Sequence, residues 1–161
     1  MSLINAILFC SSASVDDTKE TILDDNIRHA LDADATTFIL NDAYRKQDLS
    51  SKFPELQRLK STSIDAAIVE LKSSGYKRIA IVNPHVKVGM QELNQGLWSL
   101  KLLDFAIGIQ KDGSAYLISM RDESSLLLGE IFWEKKEFVH ATIKEIGKLK
   151  LSLYKLNPLE K

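Results

Sequence analysis

Short apolar runs of strand length alternate with longer amphipathic segments along most of this chain, and this alternation restricts the fold more than any other feature. Runs that are apolar at nearly every position are typical of strands buried on both faces of a sheet, with helices covering each side. The most strand-like is the stretch from 79 to 82, Ile-Ala-Ile-Val. The runs that predict strands are Ile4–Cys10, Thr36–Leu40, Ile79–Val82, Phe105–Ile109 and Ala115–Met120.

Helical periodicity occupies the stretches between these runs. Asp17 or Thr18 is a suitable N-cap for a helix whose apolar face includes Ile22, Ile27 and Leu31. Further helices are predicted from Ser61–Ser63 to Ser74–Gly75, over Met90–Leu102 and over Lys135–Lys148, and the alternation from Leu149 to Tyr154 predicts an edge strand. The stretch from 41 to 59 has the weakest pattern, which indicates a loop or a poorly signalled helix.

Strands that alternate with helices predict a three-layer α/β/α sandwich with a mostly parallel central sheet. One antiparallel pair is expected where Asp112-Gly113 joins the last two apolar runs. The sequence contains no internal repeat and no linker rich in glycine and serine, so we predict a single domain over residues 1–161.

The composition excludes several classes of protein. The 21 basic and 22 acidic residues leave a net charge of −1, whereas proteins that hold nucleic-acid backbones usually carry a basic excess, so no nucleic-acid partner is expected. No apolar run approaches the roughly 18 to 20 residues of a membrane-spanning helix. The first residues include no basic signal region, and Cys10 is the only cysteine, so we expect a cytoplasmic protein.

Ligands of open α/β sheets bind beyond the carboxyl ends of the strands. Four segments therefore compete for a site: Cys10–Lys19, Asn41–Lys46, Asn83–Gly89 and Gln110–Ser114. The usual glycine-rich phosphate loops are absent from the sequence, and the three histidines have no zinc-site spacing. Cys10 at a strand end is interpreted as a small buried residue rather than a nucleophile, because no cationic neighbour in the sequence would lower its pKa.

Two side chains in these segments are placed for chemistry. His85 is the only histidine that directly follows a predicted strand. Asp112 follows the run Phe105–Ile109 and precedes Gly113, so its carboxylate could project from a tight turn into a cleft. The alternative is that an Asp-Gly pair stands here only because a hairpin turn favours it.

Three segments, in their order and spacing, resemble one known family. They are Gly75–Asn83, Asp104–Ile118 and Gly129–Trp133, and the second contains the pattern Asp112-Gly113-x-x-Tyr116-Leu117-Ile118. The chain resembles the bacterial glycosyltransferase-like proteins with the GT-A fold, of the nucleotide-diphospho-sugar transferase superfamily, and is similar to a short, degenerate member. The resemblance covers about residues 75 to 156.

The resemblance implies transfer of a sugar or a nucleotide from a nucleotide-activated donor. In such enzymes Mg²⁺ or Mn²⁺ neutralises the charge that develops on the diphosphate. The resemblance implies that Asp112 is the catalytic residue, as a metal ligand or as a base. The substrate contacts that it implies are Lys19, Asn83, His85, Gly113 and Tyr116.

The chain also departs from the family pattern. The position of the family's metal-binding aspartate falls on Pro84, within Asn83-Pro84-His85, and acids outnumber bases in Asp16–Glu20, where the family has a basic loop. We therefore expect no tightly held metal ion at residues 83–85. Two functions stay open: a glycosyltransferase or nucleotidyltransferase-like protein with impaired metal-dependent catalysis, or an inactive relative that serves as a binding or assembly module. The oligomeric state also stays open.

Overall fold

The computed structural model describes residues 4–9, 17–40, 49–61, 63–121 and 128–159, with only the backbone of residues 17–20, 49 and 50. The helices are α1 (Asp17–Asp32), α2 (Leu49–Lys52), α3 (Ile64–Ser73), α4 (Met90–Trp98), which continues into a 3₁₀ turn over Ser99–Lys101, and α5 (Lys136–Lys148). The strands are β1 (Asn5–Phe9), β2 (Thr36–Leu40), β3 (Gln57–Leu59), β4 (Arg78–Val82), β5 (Phe105–Ile109), β6 (Ala115–Arg121) and β7 (Leu153–Leu156).

The seven strands of the described residues form one sheet in the order β3-β2-β1-β4-β6-β5-β7. Strand β6 is antiparallel to β4 and β5, and every other neighbouring pair is parallel. The predicted strands are therefore neighbours in one mostly parallel sheet with a single antiparallel strand, and this prediction is confirmed.

Each face of the sheet carries its own layer of helices. Leu71 of α3 and Ile146 of α5 belong to the apolar cluster on one face. Ile27 of α1 and Leu97 of α4 belong to the cluster on the other face. Alternate side chains of each central strand supply both clusters, so the predicted three-layer α/β/α sandwich is confirmed. No helix in the described part of the chain is long and apolar enough to cross a bilayer.

The two edges of the sheet differ from the predictions. Strand β3 lies in the stretch for which the sequence indicates a loop or a helix; it is three residues long and two of its side chains are exposed, so it shows little strand pattern. The edge strand predicted from Leu149 begins only at Leu153, because a turn that closes the predicted helix end follows Lys148. The backbone N–H groups of Leu149 and Lys150 still donate to carbonyls of that helix, and Lys150 has a φ of 57°.

A polar cluster connects β7 to the neighbouring strands. Asp104 Oδ2 accepts hydrogen bonds from the backbone N–H of Ser152 at 2.9 Å and from its hydroxyl at 3.0 Å. Arg121 Nη2 donates to Asp104 Oδ1 at 3.1 Å. The hydrogen bond from the backbone N–H of Ser152 is the largest of the causes that hold the pKa of Asp104 below its ordinary value. The hydroxyl of Ser152 and the charge of Arg121 also lower this pKa, whereas partial burial raises it.

A β-bulge between β5 and β6 determines the direction of Tyr116. Gly108 is the partner of Leu117, and Ile109 is the partner of Ala115, so Tyr116 is the extra residue. Its side chain is fully buried on the face covered by α1 and α4. The hydroxyl donates a hydrogen bond to the carbonyl of Asn157 at 2.7 Å. Burial, with a smaller contribution from the charge of Glu92, raises the pKa of Tyr116 to about 12.

We predict that Gly108→Ala destabilises the protein. A Cβ at Gly108 would lie 2.3–2.7 Å from three ring carbons of Tyr116, and the hydroxyl of that ring is already held by Asn157. Urea denaturation should show a loss of about 1–3 kcal/mol in the free energy of unfolding, the usual cost of overpacking a core.

Gly147→Ala is the matched control. Gly147 lies near the end of α5, and a Cβ there would meet nothing within 4 Å. Because alanine favours the helix more than glycine, this change should be neutral or stabilising by up to about 1 kcal/mol. If Gly108→Ala is as stable as the wild type, the ring of Tyr116 does not pack against Gly108 as described.

Candidate functional site

The order of the strands changes direction beside β1. From β1, strands β2 and β3 follow one another toward one edge of the sheet. Strand β4 lies on the other side of β1. In α/β sheets such a switch point leaves a crevice at the carboxyl ends of the strands. Next to it lies a cleft of about 310 Å³. Its lining residues are Asn83, His85, Gln110, Asp112, Ser114, Trp133 and Glu134.

Asn83 directly follows β4 and connects two of the segments that border the cleft. Its Nδ2 donates to the carbonyl of Ala115 at 3.1 Å, and its backbone N–H donates to the carbonyl of Tyr116 at 3.0 Å. Its Oδ1 accepts the backbone N–H of His85 at 2.8 Å, a local bond typical of an asparagine turn. The buried amide of Asn83 therefore fixes the chain around His85.

Asn26 supports the same loop from helix α1. Its side chain is fully buried. Nδ2 donates to the carbonyls of Asn83 and Val86, and Oδ1 accepts the backbone N–H of Val88. The loop that follows β4 is therefore held from both sides, by the strand β6 and by α1.

The turn between β5 and β6 presents Asp112. Its Oδ1 accepts two hydrogen bonds from Ser114, one from the backbone N–H at 2.9 Å and one from the hydroxyl at 2.6 Å. Gln110 Nε2 donates to the same hydroxyl at 3.0 Å. Gly113 has a φ of 91°, which favours glycine. The carboxylate of Asp112 therefore stabilises the hairpin turn and also lines the cleft, so the two interpretations of this residue are compatible.

The structure brings some of the proposed site residues together and separates others. Asn83, His85 and Asp112 line one cleft, and Gly113 lies in the same turn as Asp112. The proposed substrate contact at Tyr116 needs correction, because the bulge turns its ring into the core, where it is fully buried. Lys19 belongs to α1, but its side chain lies outside the described part of the structure, as does the whole of Cys10.

Several residues of the site were not identified from the sequence. Trp133 and Glu134 follow no strand, so the strand-end rule does not select them. Asn26 did leave a signal, because it interrupts an apolar helix face formed by Leu23, Ile27 and Ala30. A polar residue at a core position needs hydrogen-bond partners, and these partners lie far along the chain.

The lining of the cleft does not fit the metal ion that the family resemblance implies. Mg²⁺ and Mn²⁺ prefer several oxygen ligands. Pro84 has no side-chain ligand to offer, Asn83 Oδ1 accepts a backbone N–H, and Asp112 Oδ1 accepts two hydrogen bonds from Ser114. Within the described residues, no group of three histidine, cysteine, aspartate or glutamate side chains is placed to hold a metal ion.

Comparison with solved structures identifies the fold. One match is the crystal structure of a putative nucleotide-diphospho-sugar transferase from Desulfovibrio desulfuricans G20, with a TM-score of 0.70 and 18% identity over 98% of this chain and 81% of that chain. Another is a homologue of Mycobacterium tuberculosis rv0371c from Mycobacterium sp. strain JC1, with a TM-score of 0.54 and 8% identity over 98% of this chain and 87% of that chain.

The first likeness shows that the chain shares the fold of that putative nucleotide-diphospho-sugar transferase. At such low identities the likenesses show the fold alone. No protein-family model matches the sequence, and no curated protein matches it.

We predict that residues 83–85 hold no tight divalent ion. Calorimetric titration of Mn²⁺ in the presence of UDP should show no stoichiometric micromolar binding beyond that of UDP alone, which is titrated as the reference. The physical reason is that one amide and one imidazole are a poor ligand set for a hard cation. Stoichiometric micromolar binding that is lost in His85→Ala would contradict this prediction.

Proposed function

We propose that the cleft binds a nucleotide-diphospho-sugar, or the nucleotide part of one, and that the protein is a transferase-like member of this fold. The proposal depends on one observation: His85 and Asp112 both line the cleft beside the switch point of the sheet. Parallel α/β sheets bind ligands at this edge. The structural likeness to a putative nucleotide-diphospho-sugar transferase supports the ligand class.

The polar groups of the cleft suit such a ligand. The carboxylates of Asp112 and Glu134 accept hydrogen bonds from sugar hydroxyls, and the amide of Gln110 can donate and accept. Exposed lysines adjoin the two acids in the sequence and are candidates for contact with a diphosphate; they are Lys111, Lys135 and Lys136.

Under the proposal, Asp112 is the base of the transfer. The carboxylate removes the proton of an acceptor hydroxyl while the acceptor oxygen forms its bond to the sugar carbon. The nucleoside diphosphate leaves with the electron pair of the broken bond. The hydrogen bonds from Ser114 hold Asp112 in one orientation, which is what a positioned base needs.

A second candidate is ligand binding without transfer. The observation that favours it is Pro84 at the position of the family's metal-binding aspartate, together with a lining that does not fit a metal ion. Because catalysis in this class depends on neutralising the leaving diphosphate, a chain that lacks the ligand set can keep the binding cleft and lose turnover.

We predict that a ligand in the cleft changes the fluorescence of Trp133. The chain has two tryptophans, Trp98 and Trp133, and only Trp133 lines the cleft. In Trp98→Phe, titration with UDP-glucose and with GDP-mannose, in EDTA and again with Mn²⁺, should give a saturable change for at least one donor. At a ligand concentration of about 100 times Kd, the melting temperature should rise by about 5–10 °C.

The complementary variant Trp133→Phe keeps Trp98, which is exposed on α4, and serves as the control. Its fluorescence should not respond to the same ligands, although its melting temperature should still rise. If neither donor changes the fluorescence or the melting temperature of Trp98→Phe, the proposed ligand class is wrong.

Asp112→Asn separates transfer from binding. Asparagine keeps an oxygen that can accept from Ser114, so the melting temperature should stay within about 2 °C, because an exposed turn substitution usually costs under about 0.5 kcal/mol. Cleavage of the nucleotide-diphospho-sugar should fall at least about a hundredfold, the scale for loss of a positioned base. The matched control is Asp25→Asn, which removes a carboxylate paired with Arg28 on α1.

Each result favours one candidate function. Loss of turnover with retained binding in Asp112→Asn supports the base. Binding of a donor by the unchanged protein with no detectable turnover supports the second candidate. A strong loss of stability in Asp112→Asn with unchanged turnover would show that Asp112 serves only the hairpin turn.

A further inference from the structure

Asn26 is a polar side chain in the middle of a buried helix face. It lies on α1 among Leu23, Ile27 and Ala30, all fully buried. An amide in such a place is costly unless its donors and its acceptor find partners. A hydrocarbon side chain would fill the same position without this requirement. The partners of the amide therefore show what the asparagine does here.

Among the described residues, the hydrogen-bond partners of this amide lie in one loop, the segment that follows β4. Nδ2 donates to the carbonyl of Val86 at 2.7 Å and to the carbonyl of Asn83 at 3.3 Å. Oδ1 accepts the backbone N–H of Val88 at 2.9 Å. One turn further along α1, His29 Nδ1 lies 3.3 Å from the carbonyl oxygen of Val88. Helix α1 therefore contacts both ends of the loop.

This loop brings His85 to the cleft. Asn83, at its start, is also bonded to Ala115 at the beginning of β6, directly after the turn that contains Asp112. A continuous path of hydrogen bonds therefore runs from α1 through Asn83 to the strand next to Asp112. Side-chain amides that bridge backbone segments in this way fix the relative positions of the segments.

We propose that Asn26 is a positioning residue of the site: it holds the loop from 83 to 88 against α1 and thereby places His85 opposite Asp112 in the cleft. This inference rests on the proposed function in one respect: it takes the cleft to be the site where the ligand binds. The effect of Asn26 on the loop itself does not depend on which ligand binds.

Hydrogen exchange measures this effect without a ligand. In Asn26→Ala, the amide proton of Val88 loses its acceptor and should exchange at least tenfold faster than in the wild type. The amide proton of His85, which donates to Asn83 Oδ1, should also exchange faster. Amides of the central strands β1 and β4 should lose much less protection relative to the wild type than the amide of Val88, because the opening is local.

Asn5→Ala is the matched control. Asn5 is also a buried asparagine that bonds a backbone carbonyl, that of Asp34, but it lies at the amino end of β1, the opposite edge of the sheet from the cleft. This variant should leave the exchange of Val88 unchanged. If Asn26→Ala does not fold, Asn26→Ser takes its place, because a shorter side chain with a single hydroxyl cannot make the three hydrogen bonds of the amide, and local acceleration is again expected.

The second measurement is binding of UDP-glucose and GDP-mannose, followed at Trp133 in the Trp98→Phe background. For the donor that binds, Asn26→Ala should raise Kd at least tenfold, whereas Asn5→Ala should change it by less than twofold. Faster exchange at Val88 together with this rise in Kd supports the positioning role.

The outcomes separate the two proposals. If neither donor binds the wild type, the proposed function fails, and the exchange of Val88 alone decides whether Asn26 holds the loop. Unchanged exchange at Val88, or exchange that accelerates uniformly over β1, β4 and the loop, overturns the positioning role, because a purely structural residue destabilises the whole fold. An unchanged Kd with faster loop exchange also overturns it.

Discussion

Burial of the central strands on both faces is the constraint on which the rest of this structure depends. All five residues of β1 are buried, and so are the last four of β4, its parallel neighbour. A parallel pair of this kind needs a helix layer on each side and long crossover connections, so the helices and the order of strands follow from it. Apart from Asn5 and Arg78 at the amino ends of these strands, the side chains of the pair are apolar. Polar side chains can reach a ligand only at the ends of the strands.

Where the strands end, side chains replace the sheet as hydrogen-bond partners. The backbone N–H of Asn83 still donates to β6, but beyond it the backbone of His85, Val86 and Val88 is bonded by the side-chain amides of Asn83 and Asn26. In the turn after β5, Asp112 accepts the backbone N–H of Ser114, and Gln110 donates to the hydroxyl of Ser114. Buried backbone groups require such partners. The groups that satisfy them also give the cleft its shape, so stability and placement of the site depend on the same few side chains.

The fold and the lining of the cleft support different parts of the family resemblance. The sheet order, the helix layers and the likeness to solved structures support the fold. The lining has the acids, amides and hydroxyl of a polar ligand site, but Pro84 stands where the resemblance implies a metal-binding aspartate. Since a fold hosts many chemistries, it is the residues at the strand ends that decide between transfer and binding alone.

The sequence by itself determined the central strands, the main helices, the layer architecture and the selection of Asn83, His85 and Asp112, because periodicity and strand ends are local properties. It did not determine β3, two of whose three side chains are exposed, or the start of β7, which is delayed by the turn that closes α5. Only the tertiary structure turned Tyr116 into the core through a bulge, and placed Trp133 at the cleft. Only it joined Asn26 to Val88, 62 positions away, because a buried amide takes whichever partners packing brings within reach.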